Sequence, residues 1–243
     1  ALVDDPRKAD DCSIGRLCRL TYRELEREAL ATAAALHGQG LRRGDIVVVQ
    51  LPNVAELIVL YLAAARLGLV VSPLPVQYRE KEIADALDTV RPAAAIALGR
   101  YRGFSHEALW REPAGARGLP LLVWGQEDTG NGAALEPLVA AADPGALPPF
   151  AVTADELFTI CWTSGTEAKA KAVPRTHNNW MATGKGICDG ASLEPGDRLL
   201  NPFPAINVAS IGGLLMTWLL TGGRLVLHMP FDLKIFLRQI AEE

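Results

Sequence analysis

The sequence is poor in the features that mark several large classes of protein. Its 243 residues hold only four cysteines, at 12, 18, 161 and 188, with no metal-type pairing. That absence points to a reduced, cytosolic protein. Apart from His177, the histidines at 37, 106 and 228 are scattered, so no metal cluster is expected and the metal ligands are unknown. An excess of basic charge is missing too: the net charge is −4, whereas a nucleic-acid binder normally shows a basic face. No charged n-region followed by an apolar h-region opens the chain, so no signal peptide is visible. No apolar run reaches membrane length, and no transmembrane segment is expected. The most apolar long stretch, 206–220, is too short and contains Gly212 and Gly213, so it reads as a buried helix. The chain starts strand-like at Ala1-Leu2-Val3-Asp4 and finishes helix-like at Ala241-Glu242-Glu243, and both ends look cut from something longer.

What is present is a long alternation of strand-like and helix-like segments. With 49% hydrophobic residues, the chain can bury a large core as one big domain or two small ones. Thr21 and Glu24 have the spacing of a capping box, followed by a helical stripe of Leu25, Ala29, Ala33 and Leu36 that stops at Gly38 and Gly40. The β-branched run 46–51 reads as a strand buried on both faces. Helices follow over 55–67, ended by Gly68, and over 79–90, with strands at 69–74 and 93–98. A helix near 105–112 and a strand at 119–124 repeat the pattern. The weakly patterned stretch 125–149 reads as a long surface connection. A strand at 157–162, a helix from Asn178 toward Cys188, a strand at 198–201, a helix at 208–220 and a strand at 224–228 follow, and Asp232 can cap a last helix. This order predicts an α/β protein with a parallel sheet and helices on both faces. Ligands in such sheets bind beyond the carboxyl ends of the strands.

One stretch carries more chemistry than the rest. The apolar run 157–162 leads into Thr163-Ser164-Gly165-Thr166, and lysines follow at 169 and 171. A buried strand delivering such a turn gathers backbone N–H groups, three hydroxyls and an ammonium in a small volume, which suits a polyanion such as a nucleoside triphosphate. Gly165 admits close backbone approach. Thr163, Ser164 and Thr166 can donate to phosphate oxygens, with Lys171 as a mobile point charge. A Walker loop is the rival pattern, but it needs Gly before the Lys and Ser or Thr after it, and Ala170 and Ala172 stand there instead.

These residues, with Val173 and Thr176-His177-Asn178, resemble the signature of the adenylate-forming superfamily: acyl- and aryl-CoA synthetases, luciferases and peptide-synthetase adenylation domains. The chain departs from it at Glu167, Ala168, Ala170 and Ala172, where that family favours Thr, Gly, Pro and Gly. Further pieces are similar in the same order: Leu20-Thr21-Tyr22-Arg23-Glu24-Leu25, Gly44-Asp45-Ile46 with Leu51-Pro52-Asn53, and Ala65-Arg66-Leu67-Gly68 leading to Pro73-Leu74. The resemblance implies two α/β subdomains here, with a barrel subdomain and a mobile C-terminal domain of the family's longer chains absent from 1–243. It implies an ATP-dependent carboxylic acid ligase that forms an acyl-adenylate and then an acyl-CoA thioester. ATP, Mg2+ and CoA are the implied cofactors and a small-molecule carboxylic acid the implied partner, with a homodimer allowed. Thr163, Ser164, Gly165, Thr166 and Lys171 would hold the β- and γ-phosphates, Lys171 being the catalytic charge, and these residues alone are expected to be inactive.

The segment from Pro202 to Gly213 resembles the family's acid pocket, which places Asn207, Ser210 and Gly212 at the acid. Asn207 stands where an aromatic residue or His is usual, and it equally reads as the cap of the helix that starts at Val208. His177 before a helix reads as a packing residue, Lys185 as a solvated one, and Cys161 and Cys188 as inert. The altered loop also supports a second reading, a degenerate adenylation-like module that binds without turnover. A Walker-type NTPase is a third.

Overall fold

The computed structural model describes residues 1–127, 132–163 and 170–243. Two sheets dominate it. The larger runs in the order Ala172–Thr176, Leu157–Trp162, Val70–Pro73, Ile46–Gln50, Ala94–Leu98, Leu121–Trp124 and Ala133–Ala134. All its pairings are parallel except the first, where Ala172–Thr176 runs antiparallel to Leu157–Trp162. The smaller sheet orders Arg198–Asn201, Arg224–Leu227, Leu2–Val3 and Arg19–Leu20, the last antiparallel. The expected α/β class therefore holds, with an antiparallel strand at one edge of each sheet.

Strand period explains how the larger sheet is covered on both faces. Val47, Val49, Ile96, Leu98, Leu122 and Trp124 join one cluster with the helices Tyr22–Gly38 and Ala55–Leu67. The alternate residues Val48, Ala95, Ala97, Leu121 and Val123 join another with Glu80–Val90 and His106–Gly115. The first cluster runs on through Leu2, Leu225, Leu227, Leu215 and Trp218, so one core binds the two sheets together.

Helix ends follow local chemistry. Thr21 and Glu24 form the reciprocal capping box. Ala55–Leu67 ends at Gly68 in the left-handed region, φ 72°. Its start lacks a side-chain cap of its own; Asp4 Oδ1 accepts from the Ala55 N–H at 2.7 Å instead. Asp232 caps Leu233–Glu242 by accepting from the Ile235 N–H, as its position suggested.

Besides the short elements Lys8–Asp11, Arg19–Leu20, Arg100–Tyr101 and Phe104–Ser105, three longer stretches differ from the sequence pattern. The connection at 125–149 contains the short strand Ala133–Ala134, the helix Leu135–Ala141 and a 3-10 turn at Pro144–Ala146, anchored by the fully buried Leu135. An unforeseen strand, Ala172–Thr176, precedes the helix His177–Gly190. The helix expected at 208–220 is broken into α-helical Val208–Ser210, π-helical Ile211–Leu215 and α-helical Met216–Thr221. Such π-turns recur at functional sites.

Candidate active site

Leu157–Trp162 is a strand of five largely apolar residues around Thr159, next to Val70–Pro73 in the larger sheet. Its carboxyl end reaches the same edge as Pro73, Gln50, Leu98 and Trp124, since these strands are parallel. The chain then returns antiparallel, with Trp162 opposite Ala172. The two residues that bracket the turn close on each other. The Thr163 N–H donates to the Lys171 carbonyl at 3.1 Å, and the Lys171 N–H donates to Thr163 Oγ1 at 3.0 Å. Thr163 Oγ1 thus accepts one bond and keeps its own proton to donate. Lys171 is exposed. The structure therefore brings Thr163 and Lys171 together at the carboxyl edge. Ser164, Gly165 and Thr166 lie outside the described residues.

The base of this hairpin is pinned by indoles. Trp162 Nε1 donates to Ser72 Oγ at 3.0 Å, and Trp180 Nε1 donates to Thr159 Oγ1 at 2.9 Å. His177 stacks on Phe158 with ring centroids 4.7 Å apart. Burial pushes its imidazole below the ordinary value, against the pull of Glu156, so His177 is a neutral packing ring at neutral pH. Burial likewise pushes the Cys161 thiol up, which suits an inert core residue. Lys185 is solvent-exposed and pairs with Asp189 at 3.4 Å.

The segment 202–213 runs from the carboxyl end of Arg198–Asn201 in the smaller sheet. Asn207 caps the short helix: its Oδ1 accepts from the Ser210 N–H at 3.1 Å. Ser210 is buried, its Oγ accepting from Asn201 Nδ2 at 2.7 Å. Gly212 lies against the helix that follows the hairpin; a Cβ there would stand 2.7 Å from Thr183 Cγ2 and 3.1 Å from Trp180 Cε3. Of the three, Gly212 is thus the one packed on the helix His177–Gly190, while Ser210 is tied to Asn201 and Asn207 to the Ser210 amide.

Sequence reasoning passed over Asn53 and Tyr61. Asn53 Nδ2 donates to the Phe203 and His228 carbonyls, and its Oδ1 accepts from the Ala205 N–H. Tyr61 Oη donates to the Ala205 carbonyl. The local signal was a polar residue placed right after a buried strand, at the edge where ligands bind. A cleft of about 260 Å³ lies here, lined by Asn53, Leu74, Tyr101, Pro204, Ile206 and Phe231 among others. A larger cavity, about 680 Å³, lies among the helices near Thr32 and Glu56 and shares no residue with the hairpin or with 202–213.

Thr163 and Lys171 thus close on each other at the carboxyl edge of a parallel-dominated sheet, the edge at which ligands of such sheets bind, beside a capped segment from a second sheet. The chain belongs to the AMP-binding enzyme family, whose profile matches residues 4–243. It is 35% identical over 190 residues to the 2-hydroxy-7-methoxy-5-methyl-1-naphthoate–CoA ligase of Streptomyces carzinostaticus, covering 73% of this chain and 34% of that protein. It is 27% identical over 236 residues to a feruloyl-CoA synthase of an Amycolatopsis species, covering 92% of this chain and 42% of that one. Among solved structures, apo MbtA of Mycobacterium smegmatis aligns with a TM-score of 0.83 at 25% identity, over the whole of this chain and 43% of that one. ATP-bound MatB of Rhodopseudomonas palustris aligns with a TM-score of 0.80 at 25% identity, over 96% and 44%. The chain thus spans less than half the length of these relatives. Among the described residues, no helix is long and apolar enough to cross a membrane.

Proposed function

We propose that residues 1–243 form the N-terminal α/β region of the AMP-binding domain of a cytoplasmic, ATP-dependent carboxylic acid ligase. The complete enzyme joins a carboxylic acid to ATP as an acyl-adenylate, releases pyrophosphate, and passes the acyl group to CoA. The observation that carries this reading is the mutual closure of Thr163 and Lys171 at the carboxyl edge, in a chain matched by the family almost from end to end.

The residues present fit a triphosphate. Thr163 keeps a hydroxyl proton to donate, and the exposed Lys171 supplies positive charge where pyrophosphate leaves. Ser164, Gly165 and Thr166 complete the set. The enzyme's task in such a displacement is positioning and charge neutralisation rather than covalent chemistry. Mg2+ would supply further charge neutralisation on the triphosphate in this reading; among the described residues, no three ligand-type side chains gather to hold a metal by themselves. Asn207, Ser210 and Gly212 stand beside the acid.

The test is ATP–pyrophosphate exchange by the complete gene product with a panel of fatty, alicyclic and aryl acids. Exchange with at least one acid is expected, and Lys171→Ala should lower its rate on the order of a hundredfold. Folded protein that exchanges with no acid overturns the ligase. That outcome favours the binding module, which Ala168, Ala170 and Ala172 in the altered loop and Asn207 in the 202–213 segment motivate. The isolated 243 residues should form no acyl-adenylate.

A further inference from the structure

The backbone between Pro202 and Ala205 cannot be held by strand pairing. Pro202 and Pro204 have no N–H, so this stretch owns only two donors, those of Phe203 and Ala205. The first goes to Asn201 Oδ1, in the same sheet. The Pro204 carbonyl accepts locally from the Ile206 N–H at 2.7 Å, and the remaining bonds come from the larger sheet's side. Asn53 Oδ1 accepts from the Ala205 N–H at 2.7 Å, and Asn53 Nδ2 donates to the Phe203 carbonyl at 2.7 Å and the His228 carbonyl at 3.2 Å. Tyr61 Oη donates to the Ala205 carbonyl at 2.8 Å. Both side chains are buried, Asn53 at 5% exposure and Tyr61 at 0%.

The same tyrosine also touches the hairpin. Its ring lies 5.8 Å from Phe158, which belongs to the strand leading into Thr163, and Phe158 stacks in turn on His177. One rigid residue therefore contacts both the strand that delivers the phosphate loop and the backbone that runs into Asn207.

We propose that Asn53 and Tyr61 are positioning residues that hold the 203–205 backbone, and with it the acid pocket, at a fixed distance from the strand Leu157–Trp162 that leads to Thr163. This rests on the ligase reading. Adenylyl transfer needs a carboxylate oxygen aimed at the α-phosphorus as the bond to pyrophosphate breaks, and misplacement by about 1 Å is costly in rate. Their role in this reading is to set where the groups that meet the acid are found.

Tyr61→Phe is the sharpest probe, because it keeps the ring on Phe158 and removes only the bond to the Ala205 carbonyl. In the complete enzyme it should raise KM for the acid about tenfold, leave KM for ATP within about twofold, and leave the melting temperature close to that of the parent. Asn53→Asp keeps the acceptor for the Ala205 N–H and loses both donors. It should give the same split, while Asn53→Ala should in addition speed hydrogen exchange at the Ala205 amide. If the parent exchanges and Tyr61→Phe changes neither constant, or both equally, the positioning role is wrong and the ligase stands. If the folded parent exchanges with no acid, both fall together.

Discussion

His106 sits in a closed polar network behind the larger sheet. Its Nδ1 lies 3.1 Å from Gln50 Oε1, which also accepts from Trp110 Nε1 at 2.7 Å. Burial, with the Arg79 charge adding to it, pushes the imidazole from 6.5 down to about 4. An unfolded chain would take up the proton first as pH falls. The contribution of this residue is therefore fully present above about pH 6.5 and is lost progressively toward pH 4, about 3 kcal/mol in all. The urea midpoint should accordingly fall between pH 7 and pH 5, and the fall should shrink in His106→Gln. At this scale the sequence was legible wherever the chemistry is local: Thr21, Glu24, Asp232 and the capping role of Asn207 all act within three residues of themselves. Asn53 and Tyr61 were not legible, because their partners stand 150, 175 and 144 residues away along the chain.

Among the elements, the π-helical stretch Ile211–Leu215 depends on glycine for its approach to His177–Gly190. The neighbours there cannot step aside. Thr183 is fixed by its hydroxyl bond to the Asn179 carbonyl and Trp180 by its indole bond to Thr159. Gly212→Val would drive a Cβ to 2.7 Å from Thr183 Cγ2 and add two more carbons beyond it. Overpacking of this kind costs about 1–3 kcal/mol, which a drop in melting temperature would register. The helix was readable over 208–220 as an apolar run; its π-helical middle was not, since nothing in hydrophobic spacing separates a fifth-residue bond from a fourth. The strand Ala172–Thr176 was missed for a different reason. Pro174 argues against a central strand, but proline is tolerated at a sheet edge, and this strand is an edge. The helix Leu135–Ala141 escaped because it has one buried anchor and no capping side chain.

At the scale of the molecule, the first eight residues tie the sheets together. Asp4 accepts from the Ala55 N–H and from Lys8 Nζ, and Asp5 accepts from the Met229 N–H at 2.9 Å. Lys8, fully buried, bridges Asp4 and Glu56 at 2.7 Å each. Burial alone would lower the ammonium's pKa, but the two carboxylates outweigh it and hold the group above its ordinary value. Lys8→Met would leave both carboxylates buried without their cation. We expect a loss of about 3–5 kcal/mol, measurable by denaturant unfolding, with far less lost when an exposed pair such as Lys185–Asp189 is broken. The alternation of strands and helices disclosed the larger sheet well. The smaller sheet was legible in its strands at 198–201 and 224–228, but not in its closure, because Leu2 and Val3 pair with Leu225 and Val226 at the other end of the sequence.

Pro174 has a consequence beyond its own strand. It lies opposite Ile160 on the outermost strand of the larger sheet, where a row of unsatisfied amides would otherwise invite another chain to dock. A ring without an N–H interrupts that row. The margin beside Thr163 and Lys171 is thereby a poorer template for further strands, a guard against the self-association that open β-structure tends toward.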